Sequence, residues 1–379
     1  MIDTVKLNVP QEEFTDIGKS RIGAWHLQSK KRNYEKYILL YSKDFIKEAY
    51  RPRLTITKRY TRDDVRLMLI IEFSVPKLLL GNNLDEVEEE DLPLIIVKLN
   101  KCLLQVGIVI TEHDLENASV SAFHPSKNSI LEEGYTASFV VSELEKINIS
   151  KRFDLNKTNF RNSGKSLQIY TRSHSLIIYD KMSDLVQPKG RAIDKNKTPQ
   201  QLALFWKLKN DCPGVEILRI EVRLCLKRKI NALFAHLGFP ANPRFKDVFR
   251  KQVCQKVVQY YWDTFIEDKN IFLFGASQDP KKLFTALLHR HPRLKAKEAI
   301  YLVGLNTLAR YGGGVRELRQ MLTGRSSQRG WYRINKGFDF LNDLTDENAT
   351  HGWVRQISSS IESFAPLSVE KLSTTRMCK

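Results

Sequence analysis

The stretch SLQIYTRSHSLIIYDK, residues 166–181, predicts a β-hairpin in which the polar turn TRSH joins two apolar strands. The stretch VEILRIEVRLCLK, residues 215–227, predicts a further strand, because its side chains alternate between apolar and charged types. The apolar positions are Ile220, Val222 and Leu224, and the charged positions are Arg219, Glu221 and Arg223. One face of this strand therefore belongs to a core, and the other can line a polar surface or a site.

The sequence around these stretches predicts further strands and a few helices. Strands are expected in MIDTVKLNV (1–9), RPRLTITKRY (51–60), RLMLIIEFSVP (66–76) and NASVSAFHPSKN (117–128), the last of which is expected to end at its proline. A helix is expected in LPLIIVKLNKCLLQVG (92–107), and no internal repeat is evident. Residues 1–238 therefore predict an α+β fold class, with a domain built on an antiparallel sheet.

The pattern changes to helices after HLGFPANPR (236–244), which is the expected domain boundary. Residues 245–342 predict a helical domain in which two helices joined by Gly312–Gly314 resemble a helix-turn-helix, and RSSQRGWYRINKGF (325–338) alternates like a small β-wing. The cations expected to contact DNA there are Arg316, Arg319, Arg325, Arg329, Arg333 and Lys336. The Ser-containing residues 343–379 are expected to form a C-terminal tail.

The charge of the chain points to a polyphosphate partner. The 379 residues carry a formal net charge of +18, and residues 281–340 alone hold 13 Lys and Arg against 3 Asp and Glu. Neutralising phosphates releases condensed counterions, so nucleic acid is the first expectation and a membrane surface the second. No transmembrane run, signal peptide or GxxxxGK[ST] loop is present, and the five scattered cysteines are expected to be reduced, which predicts a cytoplasmic protein.

The end of the hairpin carries the first candidate for chemistry. Tyr179 and Lys181 are two residues apart and are expected to point the same way. A phenol has an ordinary pKa of about 10, so a tyrosine nucleophile needs nearby cations such as Lys181. Glu221, between two arginines, is expected to stay ionised and to hold a hard cation. Both features are also compatible with structural residues at a strand end and with ion pairs on a sheet surface.

Five segments, in order, resemble the phage and plasmid replication initiators of the filamentous-phage gene II/X family, relatives of the HUH-type rolling-circle nickases. The segments are MIDTVKL, EFSVPKLLLGNN, VSAFH, SLIIYDKMSDL and ILRIEVRLCLK, within residues 1–235. The family segment that VSAFH matches ends in aspartate, whereas this chain has His124, and the chain has no His-hydrophobic-His motif.

The resemblance implies a HUH/Rep-like nickase domain over residues 1–238, followed by the winged-helix-like basic domain. The implied enzyme is a DNA endonuclease that uses Mg²⁺ or Mn²⁺, nicks one origin strand and stays attached as a 5′-phosphotyrosine. The implied nucleophile is Tyr179 with Lys181 beside it, the metal ligands are Glu221, His124 and Asp3, and Arg219 contacts DNA. The implied partners are double- and single-stranded origin DNA and a host helicase and polymerase, within a bacterial cell that carries a phage, plasmid or integrated element.

Two questions stay open from the sequence. The hairpin also looks like that of staphylococcal-type plasmid Rep proteins, whose nucleophile lies on the first strand, and this analogy makes Tyr170 the alternative to Tyr179. The function also has rivals, because a helix-turn-helix without HUH is typical of an initiator or repressor that binds DNA without cutting it, and basic and aromatic residues also serve RNA binding.

Overall fold

The computed structural model describes residues 1–16, 23–42, 49–149, 152–159, 165–186, 199–275, 279–345 and 350–374. Within them, ten strands form one sheet in the order β3-β4-β5-β6-β1-β8-β12-β11-β10-β9, and all neighbours are antiparallel. Its strands are β1 (Ile2–Pro10), β3 (Gly23–Lys31), β4 (Tyr34–Tyr41), β5 (Arg53–Tyr60), β6 (Val65–Ser74), β8 (Ser119–Leu131), β9 (Asp154–Asn159), β10 (Lys165–Tyr170), β11 (His174–Asp180) and β12 (Glu216–Leu224). A separate pair consists of β2 (Thr15–Asp16) and β7 (Ile108–Val109).

The two halves of the sheet have the same strand order, although the sequence shows no repeat. In the first half β1 pairs with β6, and β5, β4 and β3 follow outward. In the second half β8 pairs with β12, and β11, β10 and β9 follow outward. The first strands of the two halves, β1 and β8, pair with each other at the centre.

The sheet has a core face and a polar face. Along β12, Leu218, Ile220, Val222 and Leu224 belong to the main hydrophobic core, together with Val5 and Leu7 of β1. We call this side the core face, and the opposite side, which carries Arg219 and Glu221, the polar face. The same core continues into the C-terminal helices, where Trp262, Phe338 and Trp353 are buried.

Helices lie between the strands in the first part of the chain, and the C-terminal part is helical. The helices before residue 240 are Val75–Leu80, Leu92–Gln105, Glu112–Asn117, Ala137–Leu144, Lys181–Val186, Pro199–Asp211 and Lys227–His236. The later ones are Phe245–Val248, Lys251–Trp262, Asp268–Asn270, Pro280–Arg290, Ala296–Arg310, Gly314–Met321, Gln328–Leu344, Gly352–Ser363 and Val369–Thr374. A large antiparallel sheet with a helical C-terminal part confirms the mixed α and β class, and no helix of the described part is long and apolar enough to cross a membrane.

The expected β-wing is a helix instead. Residues Gln328–Leu344 form one α-helix, which begins where the Ser327 hydroxyl accepts a hydrogen bond from the Gly330 amide. The alternating pattern of residues 325–338 predicted a strand, but the same residues also satisfy a helical period. Gly337 and Phe338 are buried one turn from the buried Leu341, which fixes the inner side of this helix.

The expected C-terminal tail is also partly structured. The helix Gly352–Ser363 buries Trp353 and Ile357 in the main core. Farther along, the Leu367 amide donates to Glu86 and the Val369 amide donates to Asp85 in the loop after Gly81. Residues 350–374 therefore return to the part of the chain that contains the sheet and pack on it.

Two other predictions differ from the structure. Strand β8 continues past Pro125 to Leu131, because Pro125 pairs with Ile2 beside a bulge, where its missing N–H costs little. Of the cysteines, Cys102, Cys225 and Cys254 are free, but Cys212 is disulfide-bonded, contrary to the expectation of reduced thiols, and Cys378 lies outside the described residues.

Candidate active site on the polar face

The register between β11 and β12 brings Tyr179 to Glu221. Tyr179 pairs with Arg219, and Ile177 pairs with Glu221, so the phenol and the carboxylate are diagonal neighbours on the polar face. The Tyr179 hydroxyl donates a hydrogen bond to Glu221 Oε2 at 3.3 Å. Both side chains are buried, with exposed fractions of 8% for Tyr179 and 1% for Glu221.

The other oxygen of Glu221 meets a cation and an imidazole. Arg223 Nε donates to Glu221 Oε1 at 2.6 Å, and His124 Nδ1 lies 3.8 Å from the same oxygen. On the far side of the imidazole, His124 Nε2 lies 4.0 Å from Cys225 Sγ. The Arg223 side chain is 41% exposed, so it links the buried carboxylate to the surface.

A β-bulge brings Asp3 to the same cluster. Ile2 and Thr4 pair with consecutive residues of β8, Pro125 and His124, so Asp3 is the extra residue on β1. Simple alternation would place Asp3 on the core face with Val5, whereas its Oδ1 accepts a 2.9 Å hydrogen bond from Arg219 Nη1. The bulge therefore re-aims this carboxylate toward β12.

Arg219 is buried and joins three segments of the chain around the cluster. Its exposed fraction is 1%, and its guanidinium donates to Asp3 Oδ1, to Asn128 Oδ1 at 2.7 Å and to the Asn83 carbonyl at 2.5 Å. Every guanidinium nitrogen thus has an oxygen partner on a different segment. These partners enclose the guanidinium, and the contact of Arg219 with DNA stays a prediction.

Lys181 begins the helix Lys181–Val186 directly after β11 and is fully buried. Its Nζ lies 3.2 Å from Asp184 Oδ2 and 5.8 Å from the centroid of the Tyr179 ring. The ammonium therefore lies over the ring of the candidate nucleophile, which agrees with the expectation that Tyr179 and Lys181 point the same way. Its positive charge also acts on Asp3.

Burial and charge shift the pKa values of this cluster in different directions. Burial raises the pKa of Tyr179 well above its ordinary value, and Arg219 opposes that shift. Burial by itself would raise the pKa of Asp3, but the positive charges of Arg219, Lys181 and Lys77 and the hydrogen bond from Thr4 together outweigh burial and hold that pKa well below its usual range. Burial lowers the pKa of His124 to about 4, so this imidazole is neutral at neutral pH. The phenol consequently needs a proton acceptor to react, and Glu221 is in contact with it.

Tyr170 lies outside the cluster. It ends β10 and pairs with Ser175, whereas Tyr179 pairs with Ser166. The two phenols share the polar face, but four residues of strand, about 13 Å, separate them along the hairpin. The sheet therefore brings Tyr179, and not Tyr170, next to Glu221 and His124.

Two of the three predicted metal ligands, Glu221 and His124, are neighbours on the polar face. Among the described residues, no three His, Cys, Asp or Glu side chains form a group that could hold a metal ion. Glu221 and His124 lie side by side as an oxygen and a nitrogen donor. The oxygens of Glu221 are bonded to Tyr179 and Arg223, as those of Asp3 are to Arg219 and Thr4, so a metal ion would have to share these carboxylates with their present partners. Mg²⁺ commonly uses one or two protein ligands and completes its shell with water and phosphate oxygens. A neutral imidazole is also the form that binds metal.

The C-terminal cations predicted to contact DNA lie on helices and in one turn. Arg316 and Arg319 are on the helix Gly314–Met321, and Arg319 stacks on Trp331 with its guanidinium carbon 5.3 Å from the ring centroid. Arg329, Arg333 and Lys336 are exposed and follow i, i+4 and i+7 spacing, so they form one basic stripe on the helix Gln328–Leu344. Arg325 is exposed in the turn between these helices.

Several residues of the site could not be found by their spacing in the sequence. Asn128 and Asn83 hold Arg219, and the buried Lys77 adds its charge to the field around Asp3. For Arg223, the sequence offers one signal, which is its position on the charged face of β12 beside Glu221. The others depend on the register of β8 and on the loop after Gly81, which short-range patterns do not reveal.

No protein-family model matches the chain, and no curated protein matches it.

Proposed function

We propose that the chain is a DNA-nicking enzyme that initiates rolling-circle replication, with Tyr179 as its nucleophile. The observation that carries the proposal is the hydrogen bond from the Tyr179 phenol to Glu221 Oε2 inside a cluster that also holds Lys181 and Arg223. A nucleophile in contact with a base and flanked by cations is the arrangement that phosphoryl transfer to an amino-acid side chain needs.

The proposed step is a transesterification. Glu221 accepts the phenolic proton, the Tyr179 oxygen forms a bond to phosphorus, and the bond from phosphorus to the 3′-oxygen breaks. The leaving 3′-oxygen takes up a proton and becomes a free hydroxyl, while the 5′ side of the strand stays on the protein as a phosphotyrosine. Religation is the reverse reaction, in which a 3′-hydroxyl attacks the phosphotyrosine. The free 3′-hydroxyl would serve a host polymerase as its primer, and a host helicase would open the duplex.

Cations balance the negative charge that develops on the phosphate. Arg223 is the member of the cluster that reaches the surface, so it is the first group that an approaching phosphate meets. Lys181 lies over the phenol ring, where it stabilises the phenolate. Glu221 and His124 would hold Mg²⁺ or Mn²⁺, which would supply further stabilisation of the phosphate oxygens.

A second candidate is an initiator or repressor that binds DNA without cutting it. The observation that favours it is the burial of Tyr179, which raises the pKa of the phenol and restricts access to it. In that case the cluster is a structural network that joins β1, β8, β11 and β12, and the C-terminal basic helices carry the function.

One labelling experiment separates the two candidates. Single-stranded oligonucleotides that tile the DNA around the coding gene are labelled at either the 3′ or the 5′ end and incubated with the protein and Mg²⁺ or Mn²⁺. The nicking proposal predicts that the 3′ label, and not the 5′ label, becomes attached to the protein and survives denaturation. Transfer of the 5′ label would contradict the proposed polarity. Sequence-specific binding without any transfer would favour the second candidate.

A further inference from the structure

The hairpin tips of the first half-sheet form a second basic surface, far from the candidate active site. The turn between β3 and β4 and the turn between β5 and β6 lie at the same end of the sheet, because Tyr34 pairs with Arg59 and the Tyr60 amide donates to the Asn33 carbonyl. Residues 26–37 and 57–66, which we call the β-arm, contain eight Lys and Arg against three Asp and Glu.

Two of the three acids of the β-arm have partners inside it. Glu35 is buried and binds Lys30 at 2.9 Å, and it accepts hydrogen bonds from the Tyr37 and Tyr60 hydroxyls. The Asp64 carboxylate, in the second turn, lies 3.6 Å from Arg66 Nε, where both side chains are largely exposed and such a pair is weak. The excess positive charge therefore faces solvent.

Four side chains of the β-arm line up across four strands. Lys31 pairs with Tyr34, Tyr34 with Arg59, and Arg59 with Arg66. Lys31, Arg59 and Arg66 are exposed, and within the described residues no carboxylate makes a salt bridge with Lys31 or Arg59. The row spans three strand separations, about 14 Å, which is close to the roughly 12 Å width of the DNA major groove.

This row lies on the same polar face as the candidate active site. Arg66 and Glu72 are six residues apart on β6, which has a regular register here, so they share a face. Glu72 pairs with Lys6 of β1 and binds it at 3.1 Å. Thr4, two residues before Lys6, pairs with His124. The polar face is therefore continuous from the β-arm to the His124 and Glu221 cluster.

We propose that the β-arm is a second DNA-binding site that grips the phosphates of duplex DNA flanking the nick. Its row of cations matches the spacing of phosphates across a groove, and Arg32 and Arg62 at the two turns extend beyond the row. The inference rests on the proposed function for the identity of the polyanion. From Ser74, opposite Thr4, to Arg66 the strand runs eight residues, about 26 Å, so the bound DNA must extend roughly eight base pairs from the cluster.

The test compares two variants that lose the same charge. The β-arm variant carries Lys31→Gln, Arg59→Gln and Arg66→Gln, and the control carries Lys101→Gln, Lys207→Gln and Arg228→Gln, all of which are exposed. Binding to a fluorescent duplex of mixed sequence is measured by anisotropy against salt concentration, and the single strand of the same sequence is measured in parallel. The β-arm variant should bind the duplex at least about tenfold more weakly, with a log–log salt slope smaller by about 2 to 3, while the control changes less.

Each outcome bears on the inference separately from the nicking activity. Equal duplex binding by the two variants would overturn it, and so would a loss confined to the single strand, which would make the β-arm a single-strand site. The 3′-label transfer to a short single-stranded oligonucleotide should be the same in the β-arm variant and in the wild type. If the wild type transfers no label but the β-arm variant still loses duplex binding, the proposed nicking fails and the β-arm site stands. Thermal unfolding of both variants checks that they are folded.

Discussion

The Tyr179 hydroxyl lies 3.3 Å from Glu221 Oε2, across the pairing of β11 with β12. The two residues are 42 positions apart in the chain, so the contact depends on the pairing of the strands and not on local sequence. Because Glu221 also binds Arg223, the phenol joins a carboxylate whose orientation is already fixed. Orientation of the base before the substrate arrives is what makes a weak nucleophile usable.

Replacing the phenol should abolish covalent chemistry and leave binding intact. We expect Tyr179→Phe to lose transfer of the 3′ label to the protein, because the attacking oxygen is gone. Tyr170→Phe is the matched control, since Tyr170 is on the same face but pairs with Ser175 away from the cluster. Denaturing gels of both variants measure the adduct. Full adduct in Tyr179→Phe would eliminate the assignment, and its loss in Tyr170→Phe alone would transfer the role to Tyr170.

Removing the charge of Glu221 should slow nicking by about 10²- to 10⁴-fold, which is the usual contribution of a general base. Glu221→Gln keeps the shape but no longer takes the phenolic proton. Glu72→Gln is the control, because Glu72 is also on the polar face and is bound to Lys6. Single-turnover rates of adduct formation measure the effect. Equal rates in the two variants would show that Glu221 does not act as the base.

Replacing Arg219 should destabilise the protein strongly. We expect Arg219→Lys and Arg219→Ala to lower the free energy of unfolding, the latter by about 3–5 kcal/mol, because Asp3 would be left without its buried cation. Lysine has one nitrogen and cannot bind Asp3, Asn128 and the Asn83 carbonyl together. Urea unfolding measures the free energy of unfolding of both variants. A wild-type free energy of unfolding in the lysine variant would contradict the role given to the three bonds.

The neutral His124 makes stability depend on pH in a defined window. Its pKa falls from the ordinary 6.5 to about 4 in the folded protein, so the unfolded chain binds the proton first as the pH drops. The contribution is present above pH 6.5 and is lost as the pH falls toward about 4. His174, whose pKa burial also lowers to about 4, adds to the same window. We therefore expect His124→Asn to lose less stability than the wild type between these pH values, as measured by urea unfolding. If the free energies of unfolding of the variant and the wild type fell equally between these pH values, His124 would not contribute to the pH dependence.

The C-terminal helices should bind duplex DNA independently of the chemistry. We expect the double variant Arg316→Gln, Arg319→Gln to bind duplex DNA more weakly, because it loses two positive charges from one helix. Arg316 is exposed there and Arg319 is half-buried. The cleavage of a short single-stranded oligonucleotide should stay unchanged. Anisotropy and adduct assays on one protein preparation measure both. Loss of both activities with an intact thermal transition would mean that the two sites are not separable.

The sequence predicted the strands that carry the site better than the site itself. The hairpin and the charged face of β12 follow from alternation, and the structure has them at 165–180 and 216–224. The contact of Asp3 with Arg219 was not predictable, because the extra residue in β1 reverses the side on which Asp3 would otherwise lie. A bulge depends on pairing with a distant strand, and local pattern carries no signal of it.

The prediction of a β-ribbon over residues 325–338 was wrong for a different reason. The residues from 325 to 338 alternate well enough to suggest a ribbon, but Arg329, Arg333 and Lys336 also fit one side of a helix. Packing of Phe338 and Leu341 into the shared core decides in favour of the helix. Short segments satisfy two periods at once, and tertiary contacts make the choice.

The matching strand order of the two halves has a consequence for attempts to divide the protein. The two halves meet where β1 pairs with β8 at the middle of the sheet. Separating them there would leave each fragment with an unpaired edge strand. Such an edge is a template for intermolecular pairing. Neither half is expected to remain soluble by itself, and mixing the two fragments during refolding should suppress their aggregation.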